Sequence, residues 1–304
     1  MTPVSGPVHP LPPDLPRAAA PPRPAEPAPD GDVRWVRMAA RPGWQPIDFR
    51  ELWDFREMVW FLALREVKVR YKQTALGVAW VLLQPFLTMV VFSIFFGRLA
   101  GIPSEGVPYP VFTFCALLPW QLFAGGMSGA ANSLVQNQAL ITKVYFPRIA
   151  IPLASVATAL TDFAVGLLML AALMAWYGVA PTAAVVTLPA FLLLALAAAL
   201  AAGLWLAALN VRYRDVRYTI PFLVQLWLIA TPVAYPASLV PERWRWAYGL
   251  NPMAGVVEGF RWALLGQQAP LGETFLVSLA VVALVFLTGL AHFRRTERSF
   301  ADLL

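Results

Sequence analysis

The sequence predicts an all-α integral membrane protein with six transmembrane helices, an N-terminal amphipathic interfacial helix, and an external re-entrant helical hairpin between helices five and six. Three observations predict it. Of the 304 residues 59% are apolar and only 13% charged, against roughly 25% charged in soluble domains. The apolar residues gather in runs of about 20, the length a helix needs to cross hydrocarbon. Lys and Arg concentrate in alternate connections between those runs, as the positive-inside rule requires.

Residues 1–46 read as a disordered, Pro-rich cytoplasmic tail ahead of a membrane domain over 47–304. The first 32 residues hold 11 of the 28 prolines, which remove backbone donors and disfavour helix. No basic segment followed by an apolar core is present there, so the first membrane helix is expected to direct insertion itself. From Ile47 to Gln73, apolar Phe55, Met58, Val59 and Leu62 recur at helical spacing among charged residues. With Trp53, Trp60 and Tyr71 as anchors, this reads as a helix along the cytoplasmic membrane surface.

The expected spans are 75–96, 111–134, 149–177, 183–209, 218–235 and 274–293. The fifth is short and stops before Pro236. A cytoplasmic N-terminus puts Lys143, Arg148, Arg212, Arg214, Arg217, Arg294 and Arg295 inside, and only Arg98, Arg243, Arg245 and Arg261 outside. Six spans then leave both termini cytoplasmic, whereas an odd number exports a basic terminus. The net charge of +6 therefore belongs to topology rather than to nucleic-acid binding. Cys115 is the single cysteine, and His9 and His292 lie near opposite ends, so neither a disulfide framework nor a metal site is expected.

Chemistry is first limited by an absence. Lys68, Lys72 and Lys143 are the only lysines and none follows a glycine, so the chain has no phosphate-cradling GxxxxGK[ST] loop. Energy for transport must come from a partner or an ion gradient. Asp162 is the one charged residue within the spans. It reads as an ion-coupling site or, more simply, as a structural carboxylate paired with polar groups. A membrane-embedded enzyme would need an acidic cluster, and Glu105, Glu242 and Glu258 are scattered in sequence.

Three further segments stand out. The loop from Gln136 to Pro152 is basic at Lys143 and Arg148 and presents Val144, Tyr145 and Phe146, which suits a protein contact or an interfacial anchor. The stretch from Pro236 to Gly266 carries Trp244, Trp246, Tyr248 and Trp262, an Asn251-Pro252 break, and then a second short helix. It is too long for a turn and too short for two spans, so it reads as a re-entrant hairpin, with an interfacial aromatic belt as the plainer alternative. Polar Glu258 and Arg261 on it need water or each other. In the first span, Trp80, Gln84 and Phe86 suit sugar stacking, though aromatics in spans more often pack on lipid or helices.

The runs FLALREVKVRYKQTALGVAWVLLQP (Phe61 to Pro85), the segment Leu118 to Leu153, LNVRYRDVRY (Leu209 to Tyr218) and LNPMAGVVEGFRWALLG (Leu250 to Gly266) occur in this order. As a set they resemble the ABC-2 type permeases that export polysaccharides such as O-antigen, capsule or teichoic acid. The resemblance implies a homodimer of permease chains with two separate ATP-binding cassette subunits, which carry ATP and Mg; no cofactor sits on this chain. It implies that Ile141, Lys143, Val144, Tyr145, Phe146 and Arg148 contact the ATPase. Arg65, Lys68, Arg70 and Lys72 would hold the anionic head of a lipid-linked glycan, or simply membrane lipid. Trp80, Gln84, Phe86, Trp227 and Tyr235 would line the conduit. Trp244, Trp246, Asn251, Pro252, Glu258 and Arg261 would form the external gate. Export of drugs or lipids by a related permease, and ion-coupled transport through Asp162, are the alternative readings.

Overall fold

The computed structural model describes residues 49–72, 78–144, 146–267, 272–297 and 300. The Pro-rich tail over 1–46 and Tyr145 lie outside the described residues. All regular structure among those described is helical. Five stretches are long and apolar enough to cross a membrane: Ala79–Leu99, Tyr109–Gln136, Ala150–Trp176, Ala183–Arg212 and Glu273–Thr296. They coincide within a few residues with five of the expected spans.

The helix α4 (Tyr109–Gln136) forms the axis of the bundle. Phe112, Phe114, Leu117, Leu122, Phe123 and Met127 along it are all fully buried. It packs chiefly on α6 (Ala150–Trp176) and α7 (Leu188–Arg212), and α11 (Glu273–Thr296) packs on α7. The crossing of α4 and α7 is close because both helices are small there. A Cβ on Gly203 would stand 2.6 Å from the Cβ of Ala130, so only glycine admits this approach.

The fifth expected span, 218–235, is cut short. The helix α8 (Val216–Ala230) has 15 residues, about 22 Å at 1.5 Å per residue against a core of ~30 Å. The cause is Thr231-Pro232. Proline forces the residue before it out of the α region, and Thr231 is extended, with φ −93° and ψ 142°. A non-helical segment completes the path toward the end where α4 begins. Short α9 (Glu242–Tyr248) and α10 (Pro252–Leu265) follow. The latter is buried among α4, α7 and α11 over most of its length.

A second apolar cluster closes the other end of the bundle, where Leu134, Ile141, Phe146, Ile149, Val211, Phe293 and Phe300 meet. The ends of α7 and α11 and the start of α6 converge there with Arg148, Arg212, Arg294 and Arg295, so this is the basic end. Short α1 (Phe49–Asp54) leads into α2 (Arg56–Lys72), whose Met58, Val59 and Leu62 cover the cluster. The apolar residues of α2 are not confined to one face, since Trp60, Phe61 and Val69 are exposed. The helix climbs beside α6, and successive contacts advance together along both chains, so the two run parallel. The first span, α3 (Val78–Phe92), continues into a π-helical turn over Ser93–Leu99. Six-residue α5 (Gln138–Lys143) lies between α4 and α6 at the basic end.

Candidate functional site

At the basic end the loop between α4 and α6 divides into an anchored side and an open side. Ile141 and Phe146 are buried in the apolar cluster, while Lys143 and Val144 are exposed. Arg148 is tied down: its backbone amide donates to Glu297 Oε1 at 3.3 Å and its guanidinium to the Glu297 carbonyl. Arg294 donates to the other carboxylate oxygen at 3.1 Å. Among the described residues expected to meet an ATPase, Lys143 and Val144 are thus the exposed side chains, beside exposed Gln138, Ala139 and Thr142.

The seam between α2 and α6 is polar. Glu66 accepts from Ser155 Oγ at 2.8 Å and Thr158 Oγ1 at 3.2 Å. One turn further along, Arg70 bonds Asp162 at 2.5 Å and Tyr71 donates to the second oxygen of the same carboxylate. Burial, and then the Asp162 carboxylate, push the Tyr71 hydroxyl above its ordinary pKa. Asp162 is therefore a paired carboxylate with both oxygens engaged. Arg70 faces α6, whereas Arg65, Lys68 and Lys72 line an open cavity of about 450 Å³ with Phe61, Leu64 and Val69. Three cations above apolar side chains suit an anionic headgroup with an acyl chain.

The opposite end is organised by Asn251 and Arg261. As N-cap of α10, Asn251 accepts through Oδ1 from the Met253 amide at 3.0 Å and from Trp227 Nε1 at 3.0 Å. Its Nδ2 donates to Thr231 Oγ1 at 2.9 Å and the Ala230 carbonyl at 3.2 Å. Pro252 occupies the first helical turn, where its missing N–H costs nothing. Arg261 is 2% exposed, donates to the carbonyls of Val233 at 2.9 Å and Tyr235 at 3.3 Å, and lies 3.6 Å above the Phe112 ring. Tyr109 caps the Ala234 carbonyl. The irregular segment after α8 thereby has carbonyls satisfied by side chains, as low-dielectric surroundings demand. The fit of α10 is tight. A Cβ on Gly259 would overlap the Phe191 ring.

The residues expected at a gate and along a conduit thus separate. Trp244 and Trp246 on α9 are exposed, while Asn251, Pro252, Glu258 and Arg261 form the anchored half. Trp80 and Gln84 lie on an exposed face of α3 with Leu83, Leu87 and Val91. Phe86 instead packs inward, and Trp227 stacks edge-on against Phe123 at 4.9 Å with its N–H bound to Asn251. Tyr235 stands 6.5 Å from Tyr248. Glu105, Glu242 and Glu258, dispersed in sequence, line one cavity at this end together with Glu273. Burial lifts the Glu258 carboxyl up to about 7 against the opposing pull of Arg261 and Arg245. Burial also lowers the Arg261 guanidinium to about 10.

Sequence reasoning missed Glu66, Ser155, Thr158, Glu297 and the Trp227–Asn251 bond. A readable signal existed for two of them, because Ser155, Thr158 and Asp162 are spaced along one face of α6.

The profile of the ABC-2 type transporter family matches residues 57–265. The chain is 34% identical to the O-antigen export system permease protein RfbA of Myxococcus xanthus over 257 residues, covering 83% of this chain and 97% of that protein. It is 25% identical to the protein of the same name from Klebsiella pneumoniae over 242 residues, 79% and 92% of the two chains. Identity to the polysialic acid transport protein KpsM of Escherichia coli is 26% over 244 residues, 78% and 93% of the two chains. The chain belongs to the ABC-2 type transporter family.

Proposed function

We propose that this chain is the permease subunit of an ATP-driven exporter that moves lipid-linked polysaccharide outward across the plasma (inner) membrane. The observation that carries the reading is near end-to-end similarity to polysaccharide permeases, with 97% of an O-antigen export permease matched. In this reading two copies of the chain pair with two ATP-binding cassette subunits, which bind ATP and Mg. The basic end and both termini face the cytoplasm. Lys143 and Val144 meet the ATPase, and the buried Ile141 and Phe146, with Arg148 clamped to Glu297, make the loop rigid enough to carry force. Lipid-linked glycan enters where Arg65, Lys68 and Lys72 hold its anionic head. Trp80 and Gln84 line the conduit, and α9 with Trp244 and Trp246 is the moving part of the outer gate. The pairing of Asp162 with Arg70 and Tyr71 supports ATP drive over ion coupling, because both carboxylate oxygens are already engaged.

Copurification with the cassette subunit and ATP-dependent appearance of glycan at the outer face test the reading. K143E with V144D is expected to lose the cassette subunit while the permease remains folded in the membrane. Export that continues without any ATP-hydrolysing subunit, or collapses on dissipating an ion gradient at constant ATP, overturns it.

A further inference from the structure

At the outer end, the loop before α4, the turn before α9, the outward side of α10 and the start of α11 enclose a cavity of about 440 Å³. That volume falls within the ~300–1,000 Å³ of small-molecule sites. Arg261 Nε and Gln267 Nε2 are buried without a hydrogen-bond partner among the described residues, and both belong to its lining. The buried Tyr248 hydroxyl of α9, whose neighbour is Tyr235, lines it as well, so α10 and the turn after it bring two unused donors to a space that a third hydroxyl also faces. Arg261 is 2% exposed, so its Nε is shielded from bulk water.

Acceptors line the same cavity. Glu258 projects from α10, and Glu273 opens α11. At the rim, Glu105 already takes a bond from Ser238 at 2.8 Å, and Glu242 pairs loosely with Arg245 at 3.6 Å. A ligand that donates and accepts at adjacent positions satisfies both sets at once, and a sugar ring with its hydroxyls has this property. The charge balance then selects among sugars. Even without Glu258, whose carboxyl burial lifts to about 7, the three carboxylates of Glu105, Glu242 and Glu273 outnumber two guanidiniums, and Arg261 is already committed to two carbonyls and the Phe112 ring. A sugar carboxylate would enter a negative field in a partly desolvated space.

We propose that this cavity is a subsite for a neutral or amino-bearing sugar of the glycan as it leaves the membrane, and that it rejects acidic sugars. The glycan rests on the export reading above; the cavity and its selectivity do not.

The test uses the full-length permease in lipid nanodiscs, titrated with maltotriose, a glucosamine trimer and trigalacturonate. Saturation-transfer NMR and the tryptophan fluorescence of the α9 region read binding. The neutral and amino trimers are expected to saturate, and trigalacturonate to bind at least tenfold more weakly. Tyr248→Phe and Gln267→Ala each remove one donor without touching the buried ion network, and each is expected to weaken maltotriose at least threefold. The proposal is overturned by an absence of saturable binding, by unchanged affinity in both variants, by equal or tighter binding of trigalacturonate, or by recovery of a cleaved trimer. Loss of binding with ATP-dependent export intact removes the subsite and leaves the exporter standing. Binding that persists when export proves independent of an ATPase keeps the subsite and removes the exporter.

Discussion

Arg148, in the loop leading into α6, is bonded through both its backbone amide and its guanidinium to Glu297, the residue directly after α11. The contact joins segments 149 residues apart and ties the loop to the end of the last long helix. Because α11 also packs on α10, packed helices connect the loop with the opposite end of the bundle.

Glu297→Ala leaves the Arg148 amide and Arg294 without their carboxylate. The expected cost is roughly 1–3 kcal/mol, the scale of leaving partly buried polar groups unsatisfied. The cassette subunit is expected to copurify normally, since Lys143 and Val144 are untouched, while export per ATP hydrolysed falls several-fold. Parallel measurement of ATP turnover and glycan export checks this. A normal ratio of the two would show that the clamp transmits nothing.

Asp162→Asn keeps an acceptor for Tyr71 but removes the charge facing Arg70. Asp162 lies midway along a membrane-spanning helix, where water screens little, so loss of this charged pairing is expected to cost roughly 1–3 kcal/mol. ATP-driven export is expected to persist. Arg70→Leu combined with Asp162→Leu should destabilise by less than the sum of the single changes, because each single change strands a charge. Thermal unfolding in detergent, with export alongside, measures both. Abolished export in a stable Asp162→Asn protein would restore the ion-coupled reading.

The long spans were legible because about 20 apolar residues in a row have few other fates. The truncation of α8 has a local cause in Thr231-Pro232, although the expected span ran on to 235. The break before α10 was visible through Asn251-Pro252. The pairings were not legible. Glu66 and Arg70 looked like surface charge on an amphipathic helix, and only the parallel placement of α2 along α6 shows where they point. Phe146 and Arg148 read as exposed contact residues because a short loop gives no periodicity by which to tell inside from outside. The outer cavity needed Glu105 and Glu258, 153 positions apart, to meet, and no local pattern encodes that meeting.

Asn251 closes the joint between α8 and α10 with four hydrogen bonds. Asn251→Ala removes them together and is expected to cost roughly 2–4 kcal/mol at about 1 kcal/mol each. Trp227→Phe removes one of them and keeps most of the ring contact with Phe123, so about 1 kcal/mol is expected. Asn251→Asp keeps the cap and the bond from Trp227 but loses both donors, and should fall between the two. The order of the three thermal midpoints in detergent is the readout. An Asn251→Ala protein as stable as the parent would mean that Arg261 and Tyr109 hold the joint unaided.

Glu258 makes the stability of the outer end depend on pH. Its carboxyl is held at about 7 mainly by burial, with Arg261 and Arg245 drawing it down and Glu105 raising it; Tyr248, Glu242 and Glu273 line the same cavity. A folded-state pKa above the unfolded value means that the folded chain holds the proton more tightly. The stabilisation is therefore fully present below about 4.5 and is lost as pH rises toward about 7. Glu258→Gln removes this titration while keeping a donor and an acceptor. The variant should match the parent near pH 4.5 to 5 and exceed it near pH 8, by at most on the order of 3 kcal/mol at 1.36 kcal/mol per pKa unit. Thermal midpoints of both proteins in one detergent across that range decide it. A parent protein that gains stability relative to Glu258→Gln as pH rises would mean the carboxylate is favoured in its charged form, held by Arg261 and Arg245 more strongly than burial opposes it.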